Sequence, residues 1–112
     1  MFVMKLNPEF FDQVKSGKQI YEVRLYDEKR QKIGVGDTII FKKMPELLEG
    51  VIVRVVDIKR FETFEQMAQT LSIASIGFEG KNASQVAWAY NRIYTKADEK
   101  HYGVVAFKIE VI

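Results

Sequence analysis

Apolar positions along this chain change their spacing several times, and each change marks an element. Residues 2–6, Phe-Val-Met-Lys-Leu, read as a short strand. Asn7 then stands where a helix cap belongs, with Pro8 at the first helical position, where its missing amide donor costs nothing. Phe10, Phe11 and Val14 fall on one face of that helix, and Gly17 supplies its left-handed end. From 19 to 26 the period drops to two. Tyr21, Val23 and Leu25 take one face of a strand while Ile20, Glu22 and Arg24 take the other.

A polar loop from Tyr26 to Gly36 ends in the turn Gly34-Val35-Gly36-Asp37. A second strand of this part follows at 38–43, with Ile39 and Phe41 on one face and Lys43 in line beyond them. Residues 51–60 form a longer strand whose alternation breaks around Val55-Val56-Asp57, the mark of a bulge or strong bend. Thr63-Phe64-Glu65-Gln66 has the form of a capping box, and Phe64, Met67, Ala68 and Leu71 continue at helical spacing. A further helix near 83–94 carries Val86, Tyr90 and Ile93 on one stripe, with Asn82 and Gln85 as its cap pair. Trp88 lies off that stripe, and a large aromatic is expected to fill a groove against another element rather than stand exposed. Residues 104–112 close the chain as a strand in which Lys108 and Glu110 oppose Phe107, Ile109 and Val111.

This order of elements is mixed α+β. Short twisted strands with long connections fit a small, partly closed barrel capped by helices, which leaves few hydrophobic edges exposed. At 112 residues, 47% hydrophobic and 29% charged, the chain is expected to form one domain, 1–112, around a single core. The N-terminal apolar stretch is too short for a signal peptide, and no run approaches the roughly 20 apolar residues of a membrane span, so a cytoplasmic protein is expected.

The candidate chemistry is narrowed by what is missing. There is no cysteine and one histidine, His101, so neither a thiolate nucleophile nor a thiolate zinc site is available; a metal site would have to be carboxylate-dominated, no such cluster is apparent, and no cofactor is called for. Gly34-Val35-Gly36 lacks the third glycine of a nucleotide-binding loop. The net charge is only +2, but residues 1–43 hold nine basic and six acidic side chains, densest between Lys15 and Lys32. Such an excess favours weak, salt-sensitive attraction of phosphates. Tyr21, Tyr26 and Tyr102 beside Lys18, Arg24, Lys29 and Arg30 combine π faces with cations, as binding of unstacked bases requires. Taken alone, Glu22 and Arg24 on one strand face are an ordinary solvated pair, and His101 is a loop residue beside Lys100.

Gly17-Lys18-Gln19-Ile20-Tyr21-Glu22-Val23-Arg24 resembles the signature of ASCH domains, Gly-x-Lys-x-x-Glu-x-Arg, of the PUA-like superfamily. The likeness runs on through Leu25–Arg30, the Gly36-Asp37 turn and the Ile39/Phe41 strand, and returns at Tyr102-Gly103-Val104-Val105. The resemblance implies a PUA-like small mixed β-barrel with flanking helices and a motif-lined cleft that binds RNA. One branch of the family hydrolyses N4-acetylcytidine with a motif lysine, a threonine and a later glutamate, and another member is a ribonuclease. Here the motif lysine position holds Gln19, with Lys18 one residue early, and the threonine position holds Glu22.

The reading that follows is an RNA- or modified-nucleoside-binding domain. Glu22 and Arg24 contact the ligand, Lys18, Lys29 and Arg30 steer phosphate, and Lys43 and Tyr102 complete the binding set. The alternative is a small hydrolase with Glu22 as general base and Lys18 or Lys43 as electrostatic stabiliser. The third is a protein-interaction module in which the Glu22–Arg24 pair is structural.

Overall fold

A computed structural model describes residues 1–112. Five strands form one curled, half-barrel sheet in the order β1-β3-β4-β5-β2: β1 (Phe2–Leu6), β2 (Tyr21–Leu25), β3 (Thr38–Lys43), β4 (Gly50–Phe61) and β5 (Val104–Val111). Only β1 and β3 run parallel; the other neighbours are antiparallel. The helices are α1 (Pro8–Lys15), α2 (Glu28–Gln31), α3 (Phe64–Thr70), α4 (Ala83–Asn91) and α5 (Lys96–Tyr102), with a 3-10 turn at Ala74–Ile76. None is long and apolar enough to cross a membrane.

β5 explains how one sheet serves two cores. Val105, Phe107 and Ile109 enter the cluster on the concave side with Met4, Phe11, Phe41 and Val53. Val104 and Ala106 enter the cluster on the opposite face, under α3 and α4, with Phe64, Met67 and Val86. A strand covered on both sides has no solvent face to mark with polar residues, which is why its first half is a continuous apolar run. The break expected around Val55-Val56-Asp57 is a register shift between β4 and β5: Val55 faces Ile109, Asp57 faces Lys108, and Val56 is the extra residue. The shift returns Ile58 to the concave cluster despite its even number.

Local signals mostly act as the residue types dictate. Gly17 sits at φ +81° after α1, and Asn82 and Gln85 bond reciprocally in a complete capping box. Thr63 accepts from the Gln66 amide, but the Gln66 side chain accepts from Glu62 instead of closing the box. Asn7 holds the cap position of α1 without a side-chain bond. Two helices lie where loops are expected: α2 inside the 26–36 segment, and α5, which includes His101. The helix at 83–94 ends at Asn91, leaving Ile93 72% exposed, and Trp88 is 64% exposed rather than groove-filling.

Candidate functional site

β1 and β2 are the two edges of the sheet, and its curl brings them to face each other across a seam. Ile20 and Tyr26, flanking β2, bond toward β5, so by alternation Tyr21 and Val23 turn their backbone groups to the seam. Side chains satisfy two of them. Gln19 Nε2 donates to the Tyr21 carbonyl at 2.9 Å, and the Val23 amide donates to Glu22 Oε1 at 3.1 Å. Across the gap, Arg24 Nη2 donates to the Lys5 carbonyl of β1 at 2.8 Å and to Glu22 Oε2 at 3.3 Å. Lys29 Nζ donates to the Val3 carbonyl at 3.1 Å. Two cations from β2 and α2 therefore join edges that no backbone ladder connects.

The pairing of β2 with β5 sets the burial of the ion pair. Glu22 stands opposite Phe107 and Arg24 opposite Val105, so both project to the concave side, while Tyr21, Val23 and Leu25 pack under the helices. The face that reads as solvated in sequence is thus enclosed: Glu22 is 4% exposed. Burial is the largest influence on its carboxyl and raises its pKa above the ordinary carboxylate range, against the lowering pull of Arg24. For Arg24, burial disfavours the charge, but Glu22 and the nearby tyrosines together raise its pKa. Burial, followed by the Glu22 charge, holds the Tyr90 hydroxyl protonated.

A cleft of about 410 Å³ opens over this pair. β1 and the start of α1 contribute Lys5, Leu6, Asn7 and Phe10 to it; β2 contributes Glu22, Val23 and Arg24. Ala89, Tyr90, Ile93 and Tyr94, on and just after α4, form the facing wall with Phe78, and Met44 closes one end. Phe78 packs on both Phe10 and Tyr90, with ring centroids 5.3 and 5.6 Å away. The result is an apolar, aromatic-walled hollow with one acid and one guanidinium at its base, within the size range of small-ligand sites. No three His, Asp or Glu side chains converge to hold a metal ion.

Of the residues singled out in the sequence, Glu22 and Arg24 come together in this cleft, and the others stand outside it. Lys18 turns outward and pairs with Glu79 at 2.8 Å, both more than half exposed. Adjacent Gln19 is buried, with Oε1 unpartnered, so alternation in the chain sends these two side chains opposite ways. Lys29 binds the β1 edge, and Arg30 pairs with Asp27 at 2.8 Å. Lys43 pairs with Asp12 at 2.9 Å and lies over the Phe11 ring. The Tyr102 hydroxyl donates to Glu28 at 2.7 Å and borders a separate hollow beside α5. Lys5, Phe10, Phe78, Tyr90 and Tyr94 are the cleft residues that sequence reasoning missed. One signal was available: tyrosines at positions 90 and 94, four apart, put two hydroxyls on one side of a helix.

The ASCH domain family model matches residues 4–112. The chain belongs to the ASCH domain family. This ASCH domain is similar to the crystal structure of hypothetical protein PH0355, with 35% identity, a TM-score of 0.88, and 99% of this chain and 98% of that one covered. It is also similar to the solution structure of protein PF0455 from Pyrococcus furiosus, at 32% identity and a TM-score of 0.78, covering 99% and 96% of the two chains. An ASCH domain from Lactobacillus crispatus JV V101 shares the fold at 14% identity, with a TM-score of 0.65 and coverage of 98% and 79%. No curated protein matches the chain.

Proposed function

We propose that this ASCH domain binds RNA, holding one base, standard or modified, in the cleft at the β1–β2 seam. The observation that carries the reading is the buried Glu22–Arg24 pair at the base of an aromatic-walled hollow. A base edge such as that of cytosine offers an exocyclic amine beside carbonyl and ring-nitrogen acceptors. Glu22 accepts from the amine and Arg24 donates to an acceptor, in a site where water competes poorly. Phe10, Phe78, Tyr90 and Tyr94 supply the π surface that an unstacked base needs. Lys5, exposed at the rim, supplies positive charge for a phosphate. Lys18, Lys43 and Tyr102 have no direct part in this arrangement, and Lys29 acts through the seam.

The test is a titration of isotope-labelled protein followed by NMR, using short single-stranded RNA, cytidine and N4-acetylcytidine. Shifts at Lys5, Glu22–Arg24 and Tyr90–Tyr94 are expected. A spectrum unmoved by millimolar nucleoside at low salt overturns the reading and leaves a structural ion pair in a protein-interaction domain.

A hydrolase on the same site is the second reading, favoured by the raised pKa of Glu22, which suits a group that takes and returns a proton. Arg24, rather than Lys18, is then the electrostatic stabiliser. Deacetylated cytidine or cut RNA accumulating during the titration, and its loss in Glu22→Gln with binding retained, supports this reading. No product over hours excludes it.

A further inference from the structure

Trp88 is the only tryptophan of the chain, and it lies on the outer side of α4 with 64% of its surface exposed. The Arg92 guanidinium lies over one face of its ring, 4.9 Å from the centroid, and forms no ion pair. α4 itself, Ala83–Asn91, carries no acidic residue. Together these make an indole with an unneutralised cation over one face, leaving its other face for a base.

The position of this feature links it to the cleft. Ala89, Tyr90 and Ile93 line the cleft wall, and Arg92 precedes Ile93 directly. At about 100° per residue, Arg92 projects between the Trp88 side of the helix and the Ala89 side. Trp88 and Arg92 are one turn apart, roughly 6 Å along the axis, and their interacting groups are 4.9 Å apart.

We infer that Trp88 and Arg92 form a second nucleotide subsite, in which Arg92 contacts the phosphate leaving the cleft-bound nucleotide and the adjoining base of a single-stranded RNA stacks on Trp88. The inference rests on the cleft reading above and adds to it a second contact point, on the outer side of α4, for the nucleotide next to the one in the cleft. Arg92 neutralises the backbone at the turn around the helix, and the indole accepts any base, so this subsite adds affinity with little sequence preference.

Trp88 reports on its own occupancy. A four-nucleotide cytidine RNA and cytidine alone are titrated against the protein, reading Trp88 fluorescence together with NMR shifts at Glu22 and Tyr90. The tetranucleotide is expected to quench Trp88, and cytidine to shift the cleft residues without quenching. Trp88→Ala is expected to weaken tetranucleotide binding roughly fivefold to a hundredfold, the range of one lost base stack, and to leave cytidine binding unchanged. Trp88→Phe retains most of the affinity, and Arg92→Ala lowers it in a salt-dependent way. Unchanged tetranucleotide affinity in Trp88→Ala, with cytidine still in the cleft, overturns the subsite alone. Quenching with no cleft shift overturns the link between the two positions. No binding of either probe overturns the cleft reading as well. Self-association that disappears in Trp88→Ala, without an effect on RNA, assigns the face to a protein contact instead.

Discussion

Replacing Arg24 with methionine tests whether Glu22 and Arg24, both on β2, form a desolvated ion pair at the base of the cleft. The substitution keeps most of the apolar stem and removes the guanidinium that reaches Glu22 Oε2 at 3.3 Å and the Lys5 carbonyl at 2.8 Å. Lys5 is exposed, so its carbonyl is readily rehydrated and adds little to the loss. Glu22, with 5% of its side chain exposed, is left as a buried carboxylate without a counter-charge. Removing one partner of a buried pair costs about 3–5 kcal/mol. The 16% exposure of the Arg24 side chain places this one near 3 kcal/mol, at the low end of that range.

The sign of the pH dependence follows from Glu22. Its pKa is already raised in the folded protein by burial, and loss of Arg24 removes the chief opposing influence. The folded state then holds a proton that the unfolded chain has released, so stability falls as pH rises from the unfolded pKa through the folded one. Each further unit of separation costs about 1.4 kcal/mol. Near pH 4, where Glu22 is mostly protonated in both states, the loss falls to that of a hydrogen bond, about 1 kcal/mol. Urea unfolding followed by far-ultraviolet circular dichroism, from pH 4 to pH 8, measures the difference between wild type and Arg24→Met. The penalty is expected to grow from about 1 to about 3 kcal/mol across that range, and Glu22→Gln in the same chain to restore more than half of the loss at pH 8. A penalty that is flat with pH, or under about 1 kcal/mol at pH 8, refutes the desolvated pair.

Two further substitutions probe the packing beside the cleft and the anchor of α3. Gly77→Ala places a Cβ 2.7 Å from Gln19 Oε1 and 3.0 Å from Phe10 Cδ1 at φ +89°, so a loss of about 2–4 kcal/mol is expected. Thermal unfolding measures it, and a change within about 1 kcal/mol would mean that Phe10 and Gln19 yield freely. Glu99→Ala removes the buried carboxylate that accepts from the Phe64 amide at 2.7 Å and from Asn91 Nδ2 at 3.3 Å. A loss of about 1.5–3 kcal/mol is expected, with faster hydrogen exchange at the start of α3; unchanged exchange there refutes the bond as what anchors that helix.

The sequence alone determined those features that arise within a few residues of one another. The Gly17 helix end, the Asn82–Gln85 capping box and the β4 bulge follow from backbone sterics, local hydrogen bonding and alternation, so they are legible without a fold. The Gly17–Arg24 motif likewise identifies the family. α2 and α5 were silent because they are short and polar: α2 buries no residue, and Glu99 is the one fully buried position of α5, so no apolar stripe marks either.

Tertiary structure alone decided where Glu22 and Arg24 stand. Alternation places them on one face of β2, but whether that face meets water depends on the β5 register and on the curl that brings β1 to the seam. It also gathers the aromatic wall from α4 and its following turn, more than sixty residues along the chain. The nearby basic residues illustrate the same point from the other side. Lys18, Arg30 and Lys43 are close to the motif or on a core strand, yet Glu79, Asp27 and Asp12 claim them. Charge in a sequence is a property of the residue, whereas which opposite charge stands within about 4 Å of it is set by the fold.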